Sequence, residues 1–216
     1  MSKPFFIPFR HRPIKNIIFD LGGVILNIDY HLTINAFKKL GIDSFESYFS
    51  QAQQNGLFDK LDKGQISPQE FRNSLRELVN LSLSDSAINQ AWNAMLLDFP
   101  KHRIELLKKV KGHYKTFLLS NTNAIHIEEY NKILDRTFGY KNLSFLFNKE
   151  YYSHEIGMRK PDEEVFLHII KENLLHPEET LFIDDSIQHV EAAQKLGINT
   201  YHLNIPEGES IENLFQ

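Results

Sequence analysis

The stretch that most limits what this chain can become is 15–27, Lys-Asn-Ile-Ile-Phe-Asp-Leu-Gly-Gly-Val-Ile-Leu-Asn. Ile17, Ile18 and Phe19 form a short β-branched and aromatic run, the pattern of a strand buried in a parallel sheet. The run stops at Asp20, and Gly22 and Gly23 follow at once. These glycines let the backbone turn away sharply and let a ligand approach the main chain. An acidic residue at the carboxyl end of such a strand lies on the lip where open α/β sheets bind their ligands. Taken alone, the stretch reads equally well as a strand running into a turn with Asp20 solvated, since turns favour Asp. The rest of the chain decides between the two.

From residue 104 helical and strand patterns alternate: helix over 104–110, strand over 116–119, helix over 124–134, strand over 143–147 and helix over 161–173. A strand over 180–183, a helix over 187–196 closed by Gly197 and a strand over 200–203 complete the series. Such alternation argues for a parallel sheet with helices on both faces and right-handed crossovers. Residues 29–100, by contrast, contain no convincing strand. They read as helices over 32–40, 45–57, 68–79 and 84–97. The third is the best marked: Ser67 caps it, Pro68 suits its first turn, Glu70 completes a capping box, and Phe71, Leu75 and Leu78 recur at helical spacing. A helical block inserted directly after the first strand of an α/β sheet reads as a lid. The expected division is an N-terminal extension over 1–13, a core made of 14–28 and 101–216, and a helical cap over 29–100.

Inside the block, residues 59–70 place Asp, Gly and Glu at the first, sixth and twelfth positions of an EF-hand-like loop. Positions three and five, which must offer oxygen, are Leu61 and Lys63, and neither side chain serves a calcium ion. A turn at Lys63-Gly64 leading into the capped helix is the better reading.

Composition narrows the function. The 216 residues suffice for one large domain or a domain with an insert. A net charge of −4 is small and of the wrong sign for nucleic acid or an anionic membrane surface. No apolar run approaches the ~20 residues of a membrane span. With no cysteine, disulfides and thiolate metal sites are excluded, and the ten histidines include no pair at zinc spacing. Residues 1–13 mix Lys3, Arg10 and Arg12 with Phe5, Phe6, Phe9 and three prolines, without the continuous apolar core of a signal peptide. The cytoplasm is the default location on these grounds.

Four strand ends or following loops carry polar residues where ligands belong: Asp20; Ser120-Asn121-Thr122; Lys160 before Pro161; and Asp184-Asp185-Ser186. Each alone has an ordinary explanation as a turn, a helix start or an N-cap. Their joint appearance on successive β–α units is harder to attribute to accident. These motifs resemble those of the haloacid dehalogenase superfamily over nearly all of the chain after Pro13. Gly157-Met158-Arg159-Lys160-Pro161-Asp162 and Phe182-Ile183-Asp184-Asp185-Ser186 are the most specific parts. Within the superfamily, Phe19-Asp20-Leu21-Gly22-Gly23-Val24-Ile25 and Leu118-Leu119-Ser120-Asn121-Thr122-Asn123 look closest to bacterial sugar-phosphate phosphatases of the α-D-glucose-1-phosphate phosphatase type.

The resemblance implies an α/β fold: a Rossmann-like parallel sheet core with helices on both faces and an inserted helical cap of the C1 type. It implies a Mg²⁺-dependent phosphatase that hydrolyses a small phosphorylated metabolite, a sugar phosphate, through an aspartyl-phosphate. Asp20 is then the nucleophile and Lys160 a catalytic cation. Ser120, backbone amides near Asn121, and Lys160 bind the phosphoryl group. Asp20, the Gly22 carbonyl and Asp185 hold the metal, with Asp184 acting through water or by orienting its neighbours. The physics agrees, because a carboxylate attacking a phosphate dianion needs positive charge to offset like-charge repulsion. A lysine near a helix start is slightly unfavourable, so another demand on Lys160 is plausible.

One position departs from the superfamily pattern. Most of its phosphatases carry Asp two residues after the nucleophile as general acid and base, and here that residue is Gly22. A positioned acid or base is typically worth about 10²–10⁴ in rate, and its loss matters least for acidic leaving groups such as an anomeric hydroxyl. The glucose-1-phosphatase-like group shows the same Gly. Asp29 reads either as a substitute acid/base or as part of the cap hinge. Arg159 reads either as a substrate contact or as a surface partner of Asp162 or Glu163. Two rival functions stand beside the phosphatase. A metal-independent dehalogenase of the same superfamily usually has an aromatic residue near position 22, which Gly22-Gly23 does not match. A phosphate-binding protein without turnover is left open by Gly22 and opposed by Asp20, Lys160 and Asp185.

Overall fold

The computed structural model describes residues 13–43, 45–48 and 56–215. The expected N-terminal extension therefore lies, apart from Pro13, outside the described residues. In chain order the elements are β1 (Asn16–Phe19), α1 (Tyr30–Lys39), α2 (Phe45–Tyr48), α3 (Leu57–Asp62), α4 (Pro68–Val79), α5 (Asp85–Asn93), α6 (Lys101–Lys111), β2 (Lys115–Ser120), α7 (Ala124–Phe138), β3 (Lys149–Tyr152), α8 (Ser153–Ile156), α9 (Glu163–Glu172), β4 (Thr180–Asp184), α10 (Ile187–Lys195) and β5 (Asn199–His202).

The five strands form one parallel sheet in the order β3-β2-β1-β4-β5. Successive side chains leave a strand on opposite faces, and each central strand here is apolar on both. Ile17, Phe19, Leu118, Leu181 and Ile183 pack on one face with Ile104 and Leu107 of α6, Tyr130 and Leu134 of α7, and Ile211 and Phe215 near the C-terminus. Ile18, Phe117, Leu119 and Phe182 pack on the other with Val165, Phe166 and Ile169 of α9 and Ala192 and Ala193 of α10. This is the expected parallel sheet with helices on both faces. The strand order reverses about β1, which puts the residue after it, Asp20, at the topological switch point where open sheets bind ligands.

The helices between β1 and α6 have a separate aromatic core. Phe37 stacks on Phe45 at 4.0 Å between centroids, and Phe58 meets Phe45, Phe71 and Trp92 at 5.2–5.7 Å. Helix α4 starts and ends at the residues its pattern predicts, with Ser67 and Glu70 capping each other's backbone. Asp29 caps α1, accepting a hydrogen bond from His31 N at 2.9 Å. The chain enters and leaves the block side by side: Ile28 bridges Leu96 antiparallel, and Asn27 exchanges backbone bonds with Leu97 and Asp98. That pairing ends α5 at Asn93 instead of carrying the helix on to residue 97.

Two other expectations are corrected. The helix expected over 45–57 does not run through to its end: Gly56, at φ +76°, is the N-cap of α3, while α2 is described over Phe45–Tyr48 and 49–55 lie outside the described residues. The strand expected over 143–147 lies instead at Lys149–Tyr152. Leu143, Leu146 and Phe147 do enter the core, but through a 3₁₀ turn over Ser144–Leu146. Lys111 donates to the carbonyls of Phe145 and Phe147, and Thr116 Oγ1 donates to that of Leu146. Side chains thus take the carbonyls that a strand would have offered to β2. The EF-hand-like stretch begins inside α3, so it is helix before it is loop.

Candidate active site

The carboxyl ends of the strands bring the predicted residues to one place. Asp20 follows β1, Ser120 ends β2, Lys160 lies in the loop before α9, and Asp184 ends β4 with Asp185 next. Lys160 is wholly buried, its Nζ 2.5 Å from Asp20 Oδ1 and 2.6 Å from Asp184 Oδ2. Carboxylate oxygens of Asp20, Asp184 and Asp185 lie within 4.8 Å of one another. Asp20, Gly22, Ser120, Asn121, Lys160 and Asp185 line a common cavity of about 80 Å³.

Local backbone explains the tight grouping. Gly23 has φ +75°, and a Cβ there would collide with the Asp185 carboxylate, 2.9 Å from its Cγ. Only glycine serves both the turn and the approach of the carboxylate. Asn121 holds Lys160 by its backbone, accepting from Lys160 N at 2.9 Å and donating to Lys160 O at 2.8 Å. Both ends of the Asn121 amide are consumed, so its side chain positions Lys160. The Thr122 N–H is taken by Ser153 Oγ at 2.9 Å. Asp184 accepts from Lys160, Ser186 N and the ring of His189, within 3.1 Å in each case. It is an orienting residue with its lone pairs engaged.

Charge in the site is unbalanced, with three carboxylates facing one ammonium. Burial opposes ionisation of Asp184, but Lys160 and His189 overcome it and hold the carboxyl down at about 2. Burial pushes Asp20 up, and Asp184 beside it adds to the effect, against the pull of Lys160. Burial, then Asp20 and Asp184, push Asp185 up to about 8. Lys160 keeps its proton, since the two carboxylates outweigh its own burial. The Asp20 and Asp185 carboxyls, with Asp184 engaged behind them, are short of positive charge and suit a hard divalent cation.

Of the two open residues, Asp29 fits its cap-hinge reading and Arg159 takes an ion-pair partner that its surface reading did not name. Asp29 is committed to the α1 cap and the entry ribbon, where its N–H donates to Met95 O. Arg159 lines the cavity and pairs with Asp59 of α3 at 2.8 Å, not with Asp162 or Glu163. Asp162 meets Lys63 instead at 3.5 Å.

Three cavity residues escape the sequence reading: Tyr30, Asp62 and His189. Asp62 had a usable signal, because it sits one turn after the buried Phe58 and thus on the inner face of α3. Tyr30 and His189 carry no such local signal.

The sequence of residues 14–197 matches the family model for haloacid dehalogenase-like hydrolases. The chain belongs to this family of enzymes. It is 32% identical over 188 residues to the D-ribitol-5-phosphate phosphatase of Bacteroides thetaiotaomicron, covering 87% of this chain and 91% of that protein. Among solved structures it resembles a family enzyme of Bacteroides thetaiotaomicron in complex with magnesium and inorganic phosphate. That match has a TM-score of 0.83 at 40% identity, over 94% of this chain and all of the other. The L-2-haloacid dehalogenase of Xanthobacter autotrophicus shares the fold, with a TM-score of 0.57 at 18% identity over 88% of this chain and 77% of that one.

Proposed function

We propose that the protein is a Mg²⁺-dependent phosphatase that hydrolyses a small phosphorylated metabolite, a sugar or polyol phosphate, through an aspartyl-phosphate on Asp20. The observation that carries this is the convergence of Asp20, Asp185 and the buried Lys160 on one cavity. The magnesium and phosphate bound by the similar structure, and the ribitol phosphate of the relative, support it. Asp20, the Gly22 carbonyl and Asp185 would hold the metal, with Asp184 behind them. Bound there, Mg²⁺ would supply positive charge for the approach of a carboxylate to a phosphate dianion.

The chain's own groups supply the rest. Asp20 attacks phosphorus and is afterwards released by water. The Lys160 ammonium sits beside the nucleophile and neutralises charge on the transferred group. Ser120 Oγ and the backbone N–H groups near Asn121 donate to phosphoryl oxygens. Asp184 fixes Lys160 from behind and Asn121 fixes it from its backbone, so the cation costs no reorganisation during transfer. A cavity of about 80 Å³ holds two or three waters at roughly 30 Å³ each. It suits a phosphoryl group, and the organic part of the substrate requires the helical block to shift. That block is the cap over residues 29–100, turning on the ribbon at Asn27–Asp29 and 95–98.

Hydrolysis of p-nitrophenyl phosphate with and without Mg²⁺, beside an Asp20→Asn control, tests the reading, followed by a panel of sugar and polyol phosphates. Mg²⁺-dependent turnover that vanishes in the control is expected. No turnover above the control overturns it, and turnover that survives chelator returns the metal-independent alternative.

A further inference from the structure

Resting on the phosphatase reading, we propose that Asp62, carried on α3 of the helical block, is the proton-transfer residue that Gly22 cannot be. It protonates the departing alkoxide and then takes a proton from the water that cleaves the aspartyl-phosphate.

Position comes first. Asp62 is buried and lines the same small cavity as Asp20 and Lys160. Its orientation is determined by Asn123. The Asn123 Oδ1 accepts from His126 N at 3.2 Å as the cap of α7, so its amide nitrogen must face outward, where it donates to Asp62 Oδ1 at 3.0 Å. A donor on Oδ1 suits the carboxyl in either protonation state and leaves Oδ2 for the cavity. Seating is close as well, since a Cβ on Gly64, in the turn after α3, would collide with the carbonyl of His154 on the core.

The surroundings suit the task. Burial pushes the Asp62 carboxyl up to about 6, near the working range of an acid that must also serve as a base. The groups facing it are Asp59 from its own helix, Arg159 from the loop before α9 and Tyr30 from α1. Helix α7 presents only the Asn123 amide and His126, which burial keeps neutral. The other candidates lack one property each. Asp29 is spent on capping α1, and burial raises the Tyr30 phenol so far that it cannot act as a base.

The steps balance. Asp20 carboxylate forms the bond to phosphorus as the ester P–O bond breaks, and the alkoxide takes the Asp62 proton to leave as an alcohol. Water then adds to phosphorus, its proton passes to Asp62, and hydrogen phosphate departs from a regenerated Asp20 carboxylate.

Phenyl phosphate and p-nitrophenyl phosphate, alike in shape and unlike in leaving-group acidity, separate this role from a structural one. Asp62→Asn is expected to lower kcat/KM about 10²-fold with phenyl phosphate and less than about fivefold with p-nitrophenyl phosphate. Its melting temperature should be no lower than that of the wild type, and its inhibition by inorganic phosphate should remain that of an intact site. If its melting curve shows misfolding, Asp62→Ser is put through the same comparison. Equal losses on both substrates, or no loss on either, overturn the proposal. So does a selective loss found in His189→Gln and absent from the Asp62 variant. A wild-type enzyme that turns over neither substrate with Mg²⁺ sinks the phosphatase reading and this proposal with it, a failure visible before any variant is made.

Discussion

Two buried carboxyls mark the difference between the sheet lip and the helical block. Asp184 belongs to the lip, and Lys160 and His189 hold it at about 2. Asp62 belongs to the block, where its hydrogen-bond partner is a neutral amide, and burial leaves it at about 6. Burial acts in the same direction on both, so the partner decides the outcome. The lip gathers its charges from the ends of β1, β2 and β4 and the loop before α9, and among its carboxyls only Asp184 is held firmly ionised, by Lys160 and His189. The block has its own aromatic core and meets the rest of the molecule across a mainly polar seam, Asp59–Arg159, Lys63–Asp162, Asp62–Asn123 and His126–Asn93, with Ile125 of α7 packed into the block's core and His126 stacked on Trp92. Polar seams of this kind part at lower cost than a continuous apolar core. Fixed charge for phosphoryl transfer and a movable wall for substrate are thus kept in separate pieces.

The largest disturbance of this contrast should come from Lys160→Met. It leaves Asp20 and Asp184 unpaired in the interior, with a stability loss of about 3–5 kcal/mol in chemical denaturation and at least a ~10³-fold fall in kcat. Adding Mg²⁺ should recover part of the stability and little of the rate. An undiminished kcat would show that the lip does not depend on its buried cation.

Next comes a matched pair of glycine substitutions, one on each side of the seam. Gly23→Ala strains a residue at φ +75° and drives a methyl into Asp185. A displacement near 1 Å at the reacting groups costs about 10² in rate, and that loss is expected in kcat. Gly64→Ala strains φ +64° and pushes the turn after α3 off the His154 carbonyl. By displacing Asp62 it should lower kcat/KM with phenyl phosphate more than with p-nitrophenyl phosphate, whereas Gly23→Ala slows both alike. Identical kinetic signatures for the two variants would mean that lip and block behave as one body.

The smallest effect is the pH dependence of Asp62. Below about pH 3 the carboxyl is protonated whether the chain is folded or unfolded, so it costs nothing. As pH rises through about 6, the folded protein must ionise a buried group that ionises readily near 3.8 in the unfolded chain, and stability is lost. Asp62→Asn escapes this cost. It should exceed the wild type by up to about 3 kcal/mol at pH 8, with the difference gone by about pH 3. A difference independent of pH would place the carboxyl in water.

Local physics made much of this molecule legible from its residues. Ser67, Pro68 and Glu70 mark the start of α4 because a cap is a contact between neighbours in sequence. The apolar runs Ile17–Phe19 and Leu181–Ile183 mark the central strands because both faces of each had to be apolar. Asp20, Lys160 and Asp184-Asp185 could be singled out because strand ends are where such sheets bind ligands. The displaced strand β3 was not legible, because an apolar run carries no sign of whether a distant lysine and threonine will take its carbonyls.

What the sequence determined by itself, then, was the parallel sheet, the intervening helices and the order of charged residues along the lip. Only the tertiary structure decided that Arg159 reaches across to Asp59, that Asn121 serves Lys160, and that Asp62 closes the cavity from the other side. Periodicity and capping act over a few residues and are written locally. A pairing across 100 residues depends on how two separately packed cores come to rest against each other, which no short stretch of chain contains.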